Sequence, residues 1–280
     1  MISFTMGGRT GNAMIGLFDQ NDVCVWSWHI WVASDNPAAN QHSYAGGRIF
    51  MDRNLGALNN SVFDPSFRGL YYQWGRKDPF MYPINTNSNV RGYITYHPDY
   101  NYDVTDPISG YGKMTLDYAI AHPWAFMCGV YYNDDRENDT QNWLVPQNPN
   151  LWGNASSLTN LADGNSKSIY DPCPPGWRVP DRKAWADAKM AYIGTNSTNC
   201  YNMKTGSTII TLPLSGKLYG GNIYFNGQEC HFWTNAPLQY NQTTAYWKSY
   251  STVLSILGIS ANPMNGVTRE NGLPVRCMKE

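Results

Sequence analysis

The ten residues Val-Cys-Val-Trp-Ser-Trp-His-Ile-Trp-Val at positions 23–32 restrict this chain more than any other segment. Three tryptophans among β-branched residues suit a pleated, half-buried surface and are too apolar for an exposed helix. A second apolar run, Ala13 to Phe18, precedes it, and Asp19-Gln20-Asn21-Asp22 lies between them. Two such runs around a short polar turn predict a β-hairpin. From Ile209 onward short strand patterns alternate with Gly- and Asn-rich turns, ending in Leu273 to Met278. Arg48 to Ala57 reads as a strand followed by a turn, and Asp35 to Gly47 as a loop.

Helices are few in this reading. Gly69 to Gly75 and Thr115 to Ala121 are predicted as short helices, the second stopped before Pro123 because a proline disfavours helical backbone in the residue before it. After the turn-rich Asp171-Pro-Cys-Pro-Pro-Gly-Trp-Arg-Val-Pro180, Asp181 is a helix cap, and Ala184, Trp185 and Ala188 fall on one helical face. Asn133 to Ser168 is polar and predicted to be mostly loop. No internal repeat or linker interrupts the chain. The expectation is one α+β domain over residues 1–280, loop-rich, with short twisted antiparallel sheets and a few short helices. Residues 1–43 would be a hairpin segment packed on a main body, 44–280.

Composition narrows the function classes. Charged residues make up 15% of the chain, against about a quarter in ordinary proteins. Polarity comes instead from Asn, Ser, Thr, Gly and Tyr. With 11 Trp and 20 Tyr, this composition suits a recognition surface, where rigid aromatics give contact area at low entropic cost; more than half of those aromatics are expected in the core. The net charge of −1, without a Lys/Arg cluster, makes nucleic acid and anionic membranes poor partners. No apolar run reaches the length of a membrane span, so no membrane insertion is expected. Met1 to Gly11 shows no basic stretch followed by an apolar one, so no signal peptide is read there. None of the six cysteines forms a Cys-x-x-Cys pair, and zinc-site spacing is missing. A Cys173–Cys277 bridge is one reading of the even count; buried free thiols are the other.

Four blocks carry a family resemblance. They are Ile49-Phe-Met-Asp-Arg-Asn-Leu-Gly-Ala57, Gly69-Leu-Tyr-Tyr-Gln-Trp-Gly-Arg-Lys-Asp-Pro-Phe80, Ser168-Ile-Tyr-Asp-Pro-Cys-Pro-Pro-Gly-Trp-Arg-Val-Pro180 and Asn271-Gly-Leu-Pro-Val-Arg-Cys277. In this order, and with Gly11-Asn-Ala-Met-Ile-Gly and Trp26-Ser-Trp-His-Ile-Trp31 upstream, they resemble the major-paralogous-domain family of bacterial surface and fimbrillin-like proteins, from about residue 11 to the C-terminus. That family resembles the C-type lectin fold, as do formylglycine-generating enzymes and the variable proteins of diversity-generating retroelements. The resemblance implies a binding module of a bacterial or phage surface protein, placed outside the cell, on its surface or on a virion. Its ligand would be a protein or carbohydrate on another cell or surface.

The likeness to retroelement-diversified proteins is greatest in the segment at about 231–277. Carried over by position, it places Tyr240, Trp247, Ser249, Asn262, Met264, Asn265, Val267, Thr268 and Glu270 in an exposed binding surface. Trp247, Met264 and Val267 depart from the usual Asn-rich pattern, as they would in a diversified copy and equally in an ordinary family member. Elsewhere the blocks read as scaffold. Asp52, Arg53 and Asn54 suit an Arg–carboxylate tie between sheet and loops, and Trp74, Trp177 and Trp185 suit core anchors.

Enzymatic chemistry finds little support in the residues. A formylglycine-generating activity needs a paired-cysteine copper site, for which Cys200 and Cys230 are the candidates, without metal-site surroundings. Glycoside hydrolysis needs two facing carboxylates, and Asp134, Asp135, Glu137 and Asp139 cluster in a polar loop. No Gly-x-Ser-x-Gly elbow occurs. The expectation is a non-enzyme without a required cofactor, apart from a structural calcium near Asp134, Asp135 and Asp139. The alternative function is a structural adhesin or fimbrial tip subunit assembling through its N-terminal β segment.

Overall fold

In the computed structural model the described residues are 7–81, 114–127, 142–144, 148–153, 167–195, 197–219, 222–237, 250–257 and 260–280, with Ser3, Thr5 and Pro146. They form a loop-rich assembly of short antiparallel sheets, and their α-helices are two short ones, Leu116–Ala121 and Arg182–Asp187. The architecture is α+β or mainly β.

The predicted hairpin is present. Gly11–Phe18 pairs antiparallel with Cys24–Val32, in register from Gly11↔Val32 to Leu17↔Trp26. Its turn is held by the Asp19 carboxylate, which accepts from the backbone N–H groups of Asn21 and Val23 at 2.9 Å each. Side chains then dock the hairpin on the body. The Asn12 amide donates to the Gly56 carbonyl at 2.8 Å, the Trp31 indole to the Ala57 carbonyl at 3.0 Å, and the Ser27 hydroxyl to Asp78 at 2.6 Å. His29 lies in this seam, its Nε2 2.8 Å from the Asn12 side-chain oxygen and its Nδ1 3.2 Å from the Tyr72 hydroxyl.

The body is stitched by pairings distant in sequence. One four-stranded sheet runs Gln41–Ser43, Ile49–Met51, Met278–Lys279, Trp177–Arg178. Beside it Cys173 and Cys277 form a disulfide, Cα atoms 5.8 Å apart and 104 residues distant in the chain. Of the two readings of the cysteines, the bridge holds for this pair, while Cys24, Cys200 and Cys230 are buried thiols. A second sheet runs Asn222–Tyr224, Lys217–Tyr219, Gly272–Pro274, Tyr71–Gln73. The predicted helix at 69–75 is therefore corrected. Tyr71–Gln73 is a strand, paired Tyr72 to Leu273 and fully enclosed. A strand buried on both faces shows no polar alternation, so periodicity could not tell it from a buried helix. Two further meanders, Ala191–Gly194 to Thr208–Pro213 and Glu229–Pro237 to Ser260–Thr268, complete the sheets.

Both helices are capped from their sequences. Thr115 Oγ1 accepts from the Tyr118 N–H, and Asp181 accepts from the Ala184 N–H at 2.7 Å, while Ala184, Trp185 and Ala188 are buried as predicted. Tryptophans anchor the core. Trp74, Trp143, Trp152, Trp177 and Trp233 share one cluster, and Trp185 packs with Phe50 and Phe232 in another. Buried indoles need acceptors, and backbone carbonyls supply them: Trp74 donates to Thr234, Trp143 to Trp74 and Trp233 to Tyr72. Each such bond contributes about 1 kcal/mol net.

Arg53 ties sheet to loops as expected. Its guanidinium, 1% exposed, meets Asp52 at 2.8 and 2.9 Å and Asp35 at 2.6 and 2.8 Å. Burial opposes its charge, but the two carboxylates outweigh that and hold Arg53 above its ordinary pKa.

Candidate functional site

The strand Ser260–Thr268 leaves the C-terminal meander, and the chain turns through Arg269, Glu270 and Asn271 into Gly272–Pro274. There Gly272 pairs with Leu218, at the centre of Lys217–Tyr219. This one register brings together two segments distant in sequence. Lys217 is directly opposite Tyr224 in the adjoining hairpin, and Tyr219 is opposite Asn222. Because side chains alternate along a strand, Lys217, Tyr219 and Tyr224 share one face, while Leu218 and Ile223 pack on the other with Tyr71 and Phe80.

The shared face opens into a cleft of about 440 Å³, within the ordinary range for small-molecule sites. Lys217, Tyr219, Tyr224 and Phe225 form one side; Thr268, Glu270 and Asn271 form the other. Tyr224 and Phe225 are exposed, at 43% and 44%. The Tyr219 and Tyr224 rings lie 6.0 Å apart, tilted by 60°. The Lys217 ammonium stands 5.5 Å from the centre of the Phe225 ring, a cation–π arrangement. Phe225 also has φ +59°, a left-handed conformation that is unusual for a bulky residue. The turn is made possible by Gly216, also left-handed, where a β-carbon would come within 2.1 Å of the Tyr224 carbonyl oxygen.

The opposite wall is set by hydrogen bonds. The Asn271 side-chain amide donates to the Thr268 carbonyl at 3.1 Å and to the Thr268 hydroxyl. Its Oδ1 is buried and accepts from no described residue. Gln73 Nε2 donates to the Glu270 carbonyl at 2.8 Å, and the Arg269 guanidinium covers the Trp74 ring at 4.5 Å. One cationic and one anionic side chain line the cleft, so their formal charges cancel.

The structure divides the residues expected to bind ligand. Thr268 and Glu270 come together at the cleft. Glu270 is only 2% exposed, so the expectation of an openly exposed side chain is corrected: it is held at the cleft edge by its backbone anchor. Val267 is corrected outright. It is 8% exposed and packs in the main core cluster, since the residue before Thr268 faces the other side of the strand. Asn262, Met264 and Asn265 lie on the strand Ser260–Thr268. Tyr240, Trp247 and Ser249 lie outside the described residues, as do Asp134, Asp135, Glu137 and Asp139, the proposed calcium ligands and carboxylate cluster.

Sequence reasoning missed Lys217, Tyr219, Tyr224 and Phe225. Their signal was present: Lys-Leu-Tyr-Gly-Gly-Asn-Ile-Tyr-Phe at 217–225 places aromatics on both sides of a Gly-Gly pair. Of the copper-site candidates, Cys200 and Cys230 are buried, and burial pushes the Cys230 thiol up, away from the reactive thiolate. Among the described residues no three His, Cys, Asp or Glu side chains are grouped to hold a metal ion. No described helix is long and apolar enough to cross a membrane.

No family model and no solved structure matches the chain. Among curated proteins it is similar to an isomaltosyltransferase of Sporosarcina globispora, 25% identical over 228 residues, covering 76% of this chain and 18% of that protein. The chain thus spans less than a fifth of that relative's length. The relative is named as an enzyme, which leans against the expectation of a non-enzyme.

Proposed function

We propose that the chain is a ligand-binding module of C-type-lectin type, acting on a bacterial or phage surface through its C-terminal face. The observation that carries this reading is the aromatic cleft at the end of Ser260–Thr268, on a body locked by a disulfide and the Arg53 ion-pair network. Exposed tyrosine and phenylalanine beside convergent polar groups are the chemistry of a recognition site. The isomaltosyltransferase relative leaves room for this reading, since the match covers 18% of that protein. Retroelement diversification of the 231–277 segment is part of this reading. A near-identical template repeat beside the gene, differing mostly at adenines, would support it, and an intact locus without one would remove it.

The test is a titration of the fluorescently labelled chain onto whole bacterial and eukaryotic cells. Saturable binding that is lost on Thr268→Arg, with an unchanged Tm, is the expected result. Its absence on every surface tried overturns the reading.

The second reading, an adhesin or fimbrial subunit assembling through the N-terminal hairpin, draws on a specific observation. Leu17, Phe18, Val23 and Val25 are all exposed on that hairpin. Concentration-dependent association abolished by Val25→Lys favours this alternative over the first.

A further inference from the structure

We infer that the cleft between Lys217–Phe225 and Thr268–Asn271 binds an uncharged saccharide, by ring stacking and without a metal ion. This rests on the binding-module reading and names the ligand class for that site. Three observations select the class.

First, the apolar part of the cleft is aromatic. Tyr224 and Phe225 line the cleft and are exposed, and the Tyr219 ring lies 6.0 Å from that of Tyr224. A pyranose ring offers a flat patch of C–H groups that such rings cover, while its hydroxyls stay at the rim. The left-handed backbone of Phe225 is the kind of outlier that clusters at ligand sites.

Second, the polar groups are mixed in kind. The Lys217 ammonium supplies donors, the Thr268 hydroxyl both donates and accepts, and Glu270 and Asn271 line the wall beside it. Asn271 borders the cleft, is 4% exposed, and carries a buried side-chain oxygen that no described residue bonds. A ligand carrying several hydroxyl groups, each both donor and acceptor, matches such a set.

Third, charge separates saccharides from the other ligands of aromatic cages. A quaternary ammonium ion favours aromatic rings with a carboxylate, but here the Lys217 ammonium already occupies the Phe225 face at 5.5 Å. An anion would be drawn to Lys217 and opposed by Glu270. A neutral ligand meets neither repulsion.

The experiment uses the intact chain, with isomaltose, maltose and N,N′-diacetylchitobiose as probes and choline chloride as the cationic alternative. Binding is read by saturation-transfer-difference NMR and isothermal titration. The expected result is saturable binding of at least one saccharide without added metal and unchanged by EDTA. Tyr224→Ala should weaken it at least tenfold, and Val25→Lys in the hairpin should leave it unaltered. Since Tyr224 is exposed, its truncation does not threaten the fold; Phe225→Gly, which suits the left-handed backbone, provides a second variant with the same expected loss. Binding of choline in place of the saccharides, no binding of any probe, or binding that survives the Tyr224→Ala/Phe225→Gly double variant overturns the inference. If the cell titration is nonetheless saturable and blocked by Thr268→Arg, only the saccharide assignment falls. If that titration fails too, the binding-module reading falls with it.

Discussion

The N-terminal hairpin and the sheet around Tyr71–Gln73 are both antiparallel β structure, yet they are held by different means. In the hairpin, strand pairs with neighbouring strand across the five residues 19–23, and Leu17, Phe18, Val23, Val25 and Trp28 remain exposed. In the inner sheet Gly272–Pro274 joins Tyr71–Gln73 to Lys217–Tyr219, partners remote in the chain, and Tyr71, Tyr72, Leu218 and Leu273 are fully enclosed. The hairpin's order is local; the inner sheet's is cooperative. The cleft belongs to the second kind, because the Leu218–Gly272 register is what joins its two walls.

The largest contrast should come from truncating one tryptophan in each region. Trp185→Ala removes a ring packed between Phe50 and Phe232, and should cost about 3–5 kcal/mol in a denaturant midpoint experiment. Trp28→Ala, partly exposed on the hairpin, should cost less than about 1 kcal/mol. Equal losses would break the distinction between the regions.

Next comes the disulfide. Opening Cys173–Cys277 with reductant, or replacing Cys277 by Ala, should destabilise the body by about 2–5 kcal/mol. Hydrogen exchange should show the 272–280 segment loosening first, while the hairpin's own amides keep their protection.

The seam between the regions is sensitive to acid. Burial pushes His29 down to about 4 from its ordinary 6.5. Between these values the unfolded or undocked chain binds a proton that the docked one refuses. Stability from this site is therefore complete above pH 6.5 and lost as pH falls toward 4, by at most about 3 kcal/mol. Hydrogen exchange in residues 11–32 should accelerate over that interval, and His29→Gln should flatten the pH dependence.

The smallest effect belongs to the exposed hairpin face. Val25→Lys should change the stability of the isolated chain by no more than about 0.5 kcal/mol. A larger loss at high dilution would mean that Val25 is packed against the body after all.

Legibility followed the same division. The hairpin was readable because its pattern and its turn adjoin in the chain. So was the helix at Arg182–Asp187, since the Asp181 cap and the Ala184–Trp185–Ala188 face lie within eight residues. Arg53 was readable as a tie because the adjacent Asp52 is one of its partners; Asp35, the other, was not foreseen. Tyr71–Gln73 was mistaken for helix because its partner strand lies at the far end of the chain. At the cleft, Thr268 and Glu270 came from a resemblance carried over by position. That method put Val267 on the same surface, without regard to the alternation that turns it into the core. The aromatic wall at 217–225 went unseen because nothing in its neighbourhood names Thr268–Asn271 as its partner.

By itself, then, the sequence determined the β character, the hairpin, the capped helix at Arg182–Asp187, the tryptophan anchors and the weakly charged, aromatic composition of the chain. Each follows from periods, caps and turn residues that act over a few positions. The tertiary structure alone decided that Tyr71–Gln73 is a strand, that Val267 turns inward, and that Tyr219 and Tyr224 face Glu270 across a cleft. Those outcomes depend on which distant backbones pair. Register is chosen by the burial and hydrogen bonding of the whole body, which no short window of sequence contains.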